Sequence, residues 1–228
     1  MMEFPVVTLC LLTKGDAFFE DQINMLTFSK ADIESLDYLK KINLVNSVTG
    51  YKSANLIGTQ SSDKITNLAI FSSVTHYGSA PPLFGFISRP SKVVRNTYHN
   101  IKTTGYFTIN PVVKDVIKDA HHTSAKYPEG VSEFDMTDFE EEYKEGFLAP
   151  FVTGAPIQIG LKYIEEHAIK ANGTILVLGE VVKLYVKDSL LEEDGFINLS
   201  KGKIATINGL DGYTTPTSPI RLTYQRPK

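Results

Sequence analysis

Apolar and polar positions along this chain follow two periods, and the boundary between them organises the reading. A capping-box pattern, Ser29-Lys-Ala-Asp32, precedes Ile33, Leu36 and Leu39 at helical spacing, which predicts a short helix over residues 30–41 with one apolar face. From Ile42 the period shifts toward two. Segments 42–49, 54–60, 66–76, 82–88 and 105–110 read as strands rich in Ile, Leu, Val, Phe and Thr. Turn residues at Thr49-Gly50, Ser61–Asp63 and Gly78–Pro82 separate them. Links this short imply antiparallel pairing, because a parallel pair needs a long crossover. Residues 91–104 interrupt the strands with a helix-like pattern of Val93, Val94, Thr97 and Ile101.

The second half repeats the alternation. Residues 112–120 read as a short helix, followed by the polar loop HHTSAKYPEG. A cap pattern at Ser132 and Asp135, with Phe139 and Tyr143 on one side, predicts another helix. Its many carboxylates read as a solvated face rather than as metal ligands. Segments 156–163 and 174–186 return to strand, and 203–207 adds a short one before the turn-rich tail. The pattern predicts one β-rich domain, a barrel decorated with helices, over residues 42–228. Residues 1–41 would be an N-terminal extension carrying the first helix.

Composition narrows the chemistry. Apolar residues make up 42% of the 228 positions and charged residues 21%, which is globular and not disordered. The net charge of −3, with Lys and Arg scattered, gives no basic stripe, so nucleic acid is not an expected partner. Cys10 stands alone and allows neither an internal disulfide nor a thiolate metal cluster. The apolar run 4–12 has no basic residue before it, no clear cleavage site after it, and too few residues to span a bilayer. The expectation is a cytoplasmic protein without a membrane segment, with Met25 as a candidate internal start. Phosphate-binding P-loop, dinucleotide, zinc-protease and nucleophile-elbow motifs are absent from the sequence. The neighbouring His121 and His122 would point apart on a regular element, and no metal site is expected there.

The stretch NLAIFSSVTHYGSAPPLFGF, residues 67–86, carries hydroxyls where a barrel wall would be apolar. Small hydroxyl residues let a planar ring approach the backbone and offer it donors and acceptors, and Pro81 and Pro82 stiffen the return. Ser72, Ser73 and Thr75 also fit the solvent face of an amphipathic strand. The next segment, ISRPSKVVRNTYHNI, gathers Arg89, Lys92 and Arg95 with Ser91 and Thr97 about a helix start. Hydroxyls and guanidinium groups at a helix N-terminus suit a phosphate; a basic, solvated helix face is the plainer alternative.

In order and spacing, IGTQSSDKITNLAIFSSV, PPLFGFISRP, RNTYHNI, KTTGYFTIN, HHTSAKYPEGVSEF, LGEVV and GLDGY resemble the flavin-reductase-like FMN-binding split-barrel family, near its flavoredoxin branch, from about Ile42 to Pro227. The resemblance implies a mainly β fold with peripheral α: a six-stranded antiparallel split barrel with a Greek-key element. It also implies a homodimer holding FMN without a covalent link near the subunit interface. By position, Gly58, Thr59 and Gln60 match the strand beside the flavin. Asn67, Phe71, Ser72, Ser73 and Val74 match the wall around ring and ribityl chain. Arg89, Arg95, Thr97 and Asn100 match the phosphate segment.

The implied activity is NAD(P)H:flavin reduction, in which nicotinamide passes hydride to FMN and no side-chain acid or base is needed, so no catalytic residue is named. One departure stands out. Where reductases of this family often carry a Gly-Asp-[Arg/His]-Phe-like segment for nicotinamide, this chain has residues 129–134, EGVSEF. That favours an alternative, an FMN electron carrier fed by a redox partner protein. His121, His122 and Lys126 are candidates to approach the cofactor. A barrel for another planar ligand such as haem leaves the basic segment at 89–97 without a use.

Overall fold

The computed structural model describes residues 25–89, 96–128 and 130–227. Contacts divide the chain into a first unit ending at Val45 and a second running from Asn46 to Lys228. In the first, helix α1 (Lys30–Ser35) starts on the expected capping box. The Ser29 hydroxyl accepts from Asp32 N at 3.2 Å and the Asp32 carboxylate accepts from Ser29 N at 2.7 Å. The helix stops where Leu36 turns extended, and a second helix, α2 (Tyr38–Ser47), begins. This corrects two expectations: the helix over 30–41 is two helices, and 42–49 is not a strand. Asp37 is the reason. Its carboxylate accepts from Lys40 N at 3.0 Å and caps a new helix. Leu39, Ile42 and Val45 then follow at a spacing of three, which residue-level alternation at Ile42 and Leu44 obscures.

The second unit is built on a seven-stranded antiparallel sheet. Its elements in chain order are β1 (Lys52–Ser53), β2 (Asn55–Gln60), β3 (Thr66–Phe71), β4 (Thr75–Ser79), β5 (Pro82–Ser88), α3 (Asn96–Thr104), β6 (Tyr106–Pro111), α4 (Ile117–His122), β7 (Glu141–Glu142), β8 (Phe151–Val152), β9 (Ile157–Ile169), β10 (Thr174–Val186), β11 (Thr206–Asn208) and β12 (Gly212–Thr214). The large sheet runs β3-β2-β6-β9-β10-β5-β4; β1, β11 and β12 form a second sheet, and β7 pairs β8.

The expected strand 66–76 is two strands, which raises the count from six to seven. β3 and β4 lie at opposite edges of the sheet, yet only Ser72, Ser73 and Val74 join them. Phe71 to Thr75 spans four Cα steps, about 15 Å at most. Seven strands laid flat would separate their edges by roughly 29 Å. The sheet must therefore curl until its edges approach, and since β3 and β4 do not pair, the barrel is split. Phe71 closes the seam from within, its ring edge-on to Phe86 of β5 at 4.8 Å. Ser73 closes it along the backbone, its hydroxyl accepting from Ile87 N at 3.1 Å just past the β4–β5 pairing.

The barrel interior holds Ile57, Phe86, Ile101, Phe107, Ile109, Leu161 and Val177. A Cβ on Gly179 would meet the Phe107 ring at 2.6 Å, so the Leu-Gly-Glu-Val-Val stretch needs its glycine to seat that ring. A second cluster packs on the other side of β2, with Leu56, Leu68, Val112, Phe134 and Phe139. It includes part of the segment expected to be a helix over 132–143, which is turns followed by β7. The Ser132 hydroxyl does not cap Asp135; it meets the Thr66 hydroxyl at 2.8 Å and accepts from Phe134 N at 3.3 Å.

Candidate functional site

Strands β2 and β3 place Thr59 directly opposite Asn67, and α3 lies across that pair. Asn67 Nδ2 donates to Thr97 Oγ1 at 3.0 Å, and Asn100 Nδ2 donates to Thr59 Oγ1 at 3.1 Å. Thr97 and Asn100 are three apart and so share one face of the helix. All four side chains are buried. Thr97 lies in the first helical turn, where backbone N–H groups have no partner within the helix. An accepting hydroxyl also keeps a proton to donate. Buried hydroxyls and amides beside first-turn N–H groups can hold an anion of phosphate type.

The outer face of α3 is held from β9. Tyr98 Oη donates to both Glu166 carboxylate oxygens at 3.0 Å, and burial, then Glu166, pushes the Tyr98 hydroxyl pKa up. Lys102 Nζ donates to Tyr163 Oη at 2.8 Å and sits 3.3 Å from Glu166. The helix is thus clasped between β2–β3 and β9.

The remaining expected site residues take varied places. Gly58 lies under a close approach: a Cβ there would sit 2.3 Å from Pro150 O and 2.6 Å from Thr108 Oγ1. Gln60 donates to Tyr143 Oη at 2.8 Å. Phe71 and Val74 pack on the barrel core, Ser72 is half-buried, and Ser73 serves the Ile87 amide. Arg89 is exposed and donates to Asn46 Oδ1 at 3.3 Å. Arg95, with Ser91 and Lys92, lies outside the described residues. Thr59, Asn67, Thr97 and Asn100 therefore converge, whereas Ser73 and Gly58 are tied to backbone elsewhere.

The sequence reading missed a second polar group at the edge of β3. The Glu133 carboxylate is buried and accepts from Leu68 N at 2.9 Å. Burial drives its pKa upward, against the opposing pull of the Leu68 amide. Thr66 Oγ1 donates to Glu141 Oε1, whose other oxygen accepts from Tyr143 Oη at 3.2 Å. Burial, reinforced by Glu141, pushes the Tyr143 hydroxyl up to about 12. These contacts fasten the 132–143 segment to the strand that carries Asn67. No local pattern announces them, because each joins residues far apart in the chain.

His121 Nδ1 lies 3.0 Å from Tyr213 Oη, and His122 Nε2 lies 2.6 Å from Tyr127 Oη. The two imidazoles thus engage different tyrosines, as their adjacency predicts. Among the described residues, no helix is long and apolar enough to cross a membrane.

Known proteins share this architecture. A protein from Shewanella frigidimarina NCIMB 400, assigned as a flavin reductase with a split barrel domain, is 43% identical, with a TM-score of 0.85 over 88% of this chain and 100% of its own. Flavoredoxin of Desulfovibrio vulgaris (Miyazaki F) is 21% identical, with a TM-score of 0.66 over 76% of this chain and 91% of its own, and shows the same fold. An uncharacterised protein of Methanothermobacter thermautotrophicus is 33% identical over 64% of this chain and 68% of its own length. The family model for the flavin reductase like domain matches residues 51–207, which is most of the chain, and the protein belongs to that family.

Proposed function

We propose that the protein is an NAD(P)H:flavin oxidoreductase that holds FMN without a covalent link, as a cytoplasmic homodimer. The observation that carries this reading is the buried quartet Thr59, Asn67, Thr97 and Asn100 at the start of α3. Its donors fit a phosphate monoester, and the match to the flavin reductase like domain supports a flavin as the group that bears it. Bound FMN would supply the acceptor for the nicotinamide hydride. The chain's own part is to fix the phosphate at Thr97, line the ring with the 67–74 wall, and exclude water. Arg89 and Arg95 are proposed to add charge at the phosphate, and Gly58 and Gln60 to flank the ring.

A second reading, an FMN electron carrier served by a redox partner protein, has one observation in its favour. In the segment 129–134, where related reductases place nicotinamide-binding residues, Glu133 is buried and its carboxylate accepts from the Leu68 amide.

An anaerobic titration tests both. The protein is loaded with FMN, freed of excess flavin, and mixed with NADH and then NADPH while the visible flavin absorbance is followed. Rapid bleaching by either nucleotide supports the reductase. A retained flavin that bleaches only with dithionite supports the carrier. Failure to retain flavin overturns both.

A further inference from the structure

The acidic run also borders a surface apart from the Thr59–Asn67–Thr97–Asn100 quartet. Residues 133–145 carry seven carboxylates against the single cation Lys144. Two of the seven, Asp138 and Glu140, border a cavity of about 220 Å³ on the face of the sheet opposite α3. Leu56, Val112, Phe139 and Val152 floor it, and the exposed Asp138 and Glu140 stand among its lining residues.

The C-terminal segment has the complementary character. Residues 212–228 contain no Asp or Glu, while Arg221, Arg226 and Lys228 are basic. Ile220, Leu222 and Tyr224 are 90%, 82% and 90% exposed, an unusual cost for three large apolar groups within five residues. Pro216 and Pro219 keep their neighbours extended. Arg221 fastens the segment to its own subunit through both Asp194 oxygens, with its guanidinium 4.3 Å from the Phe196 ring centre. A side chain bound inward at Arg221 turns its neighbours Ile220 and Leu222 away from that subunit.

We propose that the C-terminal segment of one copy docks Leu222 and Tyr224 on the acid-lined cavity of a second copy, with Arg226 over Asp138 and Glu140. The interface is reciprocal, as a two-fold dimer requires. This rests on the dimer proposed above, though not on its flavin chemistry.

The test is sedimentation velocity on the full chain and on two charge variants, Arg226→Glu and Asp138→Lys/Glu140→Lys. Each variant alters exposed side chains and sets like charges against one another at both contacts of its own dimer. The expected result is a dimer for the parent chain and a dimer dissociation constant weakened about tenfold or more in either variant alone. An equimolar mixture of the two variants restores the parent affinity, because each tail then meets an oppositely charged cavity on the other chain. Leu222→Ala/Tyr224→Ala is expected to weaken the dimer about tenfold or more with no rescue by mixing.

A parent chain that sediments as a monomer overturns the dimer itself. A dimer indifferent to all three variants overturns the docking while leaving the dimer in place. Loss in each charge variant without rescue on mixing assigns the tail to its own subunit's cavity and also overturns the proposal.

Discussion

The Asn67 side-chain amide donates to the Thr97 hydroxyl across 3.0 Å, tying an edge strand of the barrel to the first turn of α3. Both residues are buried, so the bond has no water to replace it. Thr97→Val keeps the shape and leaves the amide of Asn67 without its acceptor. The expected loss is about 1–3 kcal/mol in the flavin-free protein, read as a lower urea midpoint at unchanged slope. Thr97→Ser restores the hydroxyl and should recover most of it. A midpoint that does not move in Thr97→Val would show that the bond contributes nothing to holding the helix.

Gly58 gives a sharper steric prediction. The Cβ of an alanine would fall 2.3 Å from the Pro150 carbonyl oxygen, itself fixed by a 2.7 Å bond from the Thr108 hydroxyl. Backbone and strand must shift together, so Gly58→Ala is expected to cost about 3 kcal/mol or to prevent folding. Thermal unfolding against the parent chain decides it. A change of under about 0.5 kcal/mol would mean that the 150 loop yields easily.

How far the sequence foretold this structure depends on whether each determinant was local. The strands 54–60, 82–88 and 174–186 were legible because their apolar positions and turn residues lie within a few neighbours of each other. The split of 66–76 was not, since the apolar run continues through Phe71 and Val74 and only closure of the barrel requires a crossing there. The failed helix at 132–143 has the same cause. Its supposed capping hydroxyl on Ser132 is taken by Thr66, 66 residues away in the chain. At the site, Thr97 is marked in the sequence by the hydroxyl-rich, basic helix start, whereas Thr59, Asn67 and Asn100 are marked only by their match to the family's segments. That they bond to one another, and that Ser73 instead serves a backbone amide, depends on how α3 and the barrel seam seat against the strands.

Glu133 predicts an unusual pH profile. Burial raises its native pKa above the unfolded value of roughly 4.3. Between those two values the native state holds more protons than the unfolded state, so stability falls as pH rises through that window and then levels off. The native state is favoured by protonation of this group, contrary to the behaviour of a salt-bridged carboxylate. Glu133→Gln retains a carbonyl to accept from Leu68 N and removes the titration. Urea midpoints of parent and variant, followed from pH 4 upward, should diverge in favour of the variant. Parallel curves would show that Glu133 ionises without cost.

Tyr143 carries the last prediction, at the alkaline end. Its hydroxyl accepts from Gln60 and donates to Glu141, and burial together with the Glu141 charge holds its pKa at about 12. Against an ordinary tyrosine near 10, it should be among the last of the 11 tyrosines to ionise in an absorbance titration near 295 nm. Tyr143→Phe should remove one tyrosinate equivalent from the late part of the curve. Glu141→Gln should leave the equivalent present but move it to lower pH, since a neutral amide no longer opposes the phenolate. A native pKa above the unfolded one also means that Tyr143 contributes stability that is lost as pH climbs from about 10 to about 12. The parent chain should therefore destabilise faster than Tyr143→Phe across that interval. If Glu141→Gln leaves the late equivalent where it was, burial alone sets the shift and the Glu141 contact adds nothing to it.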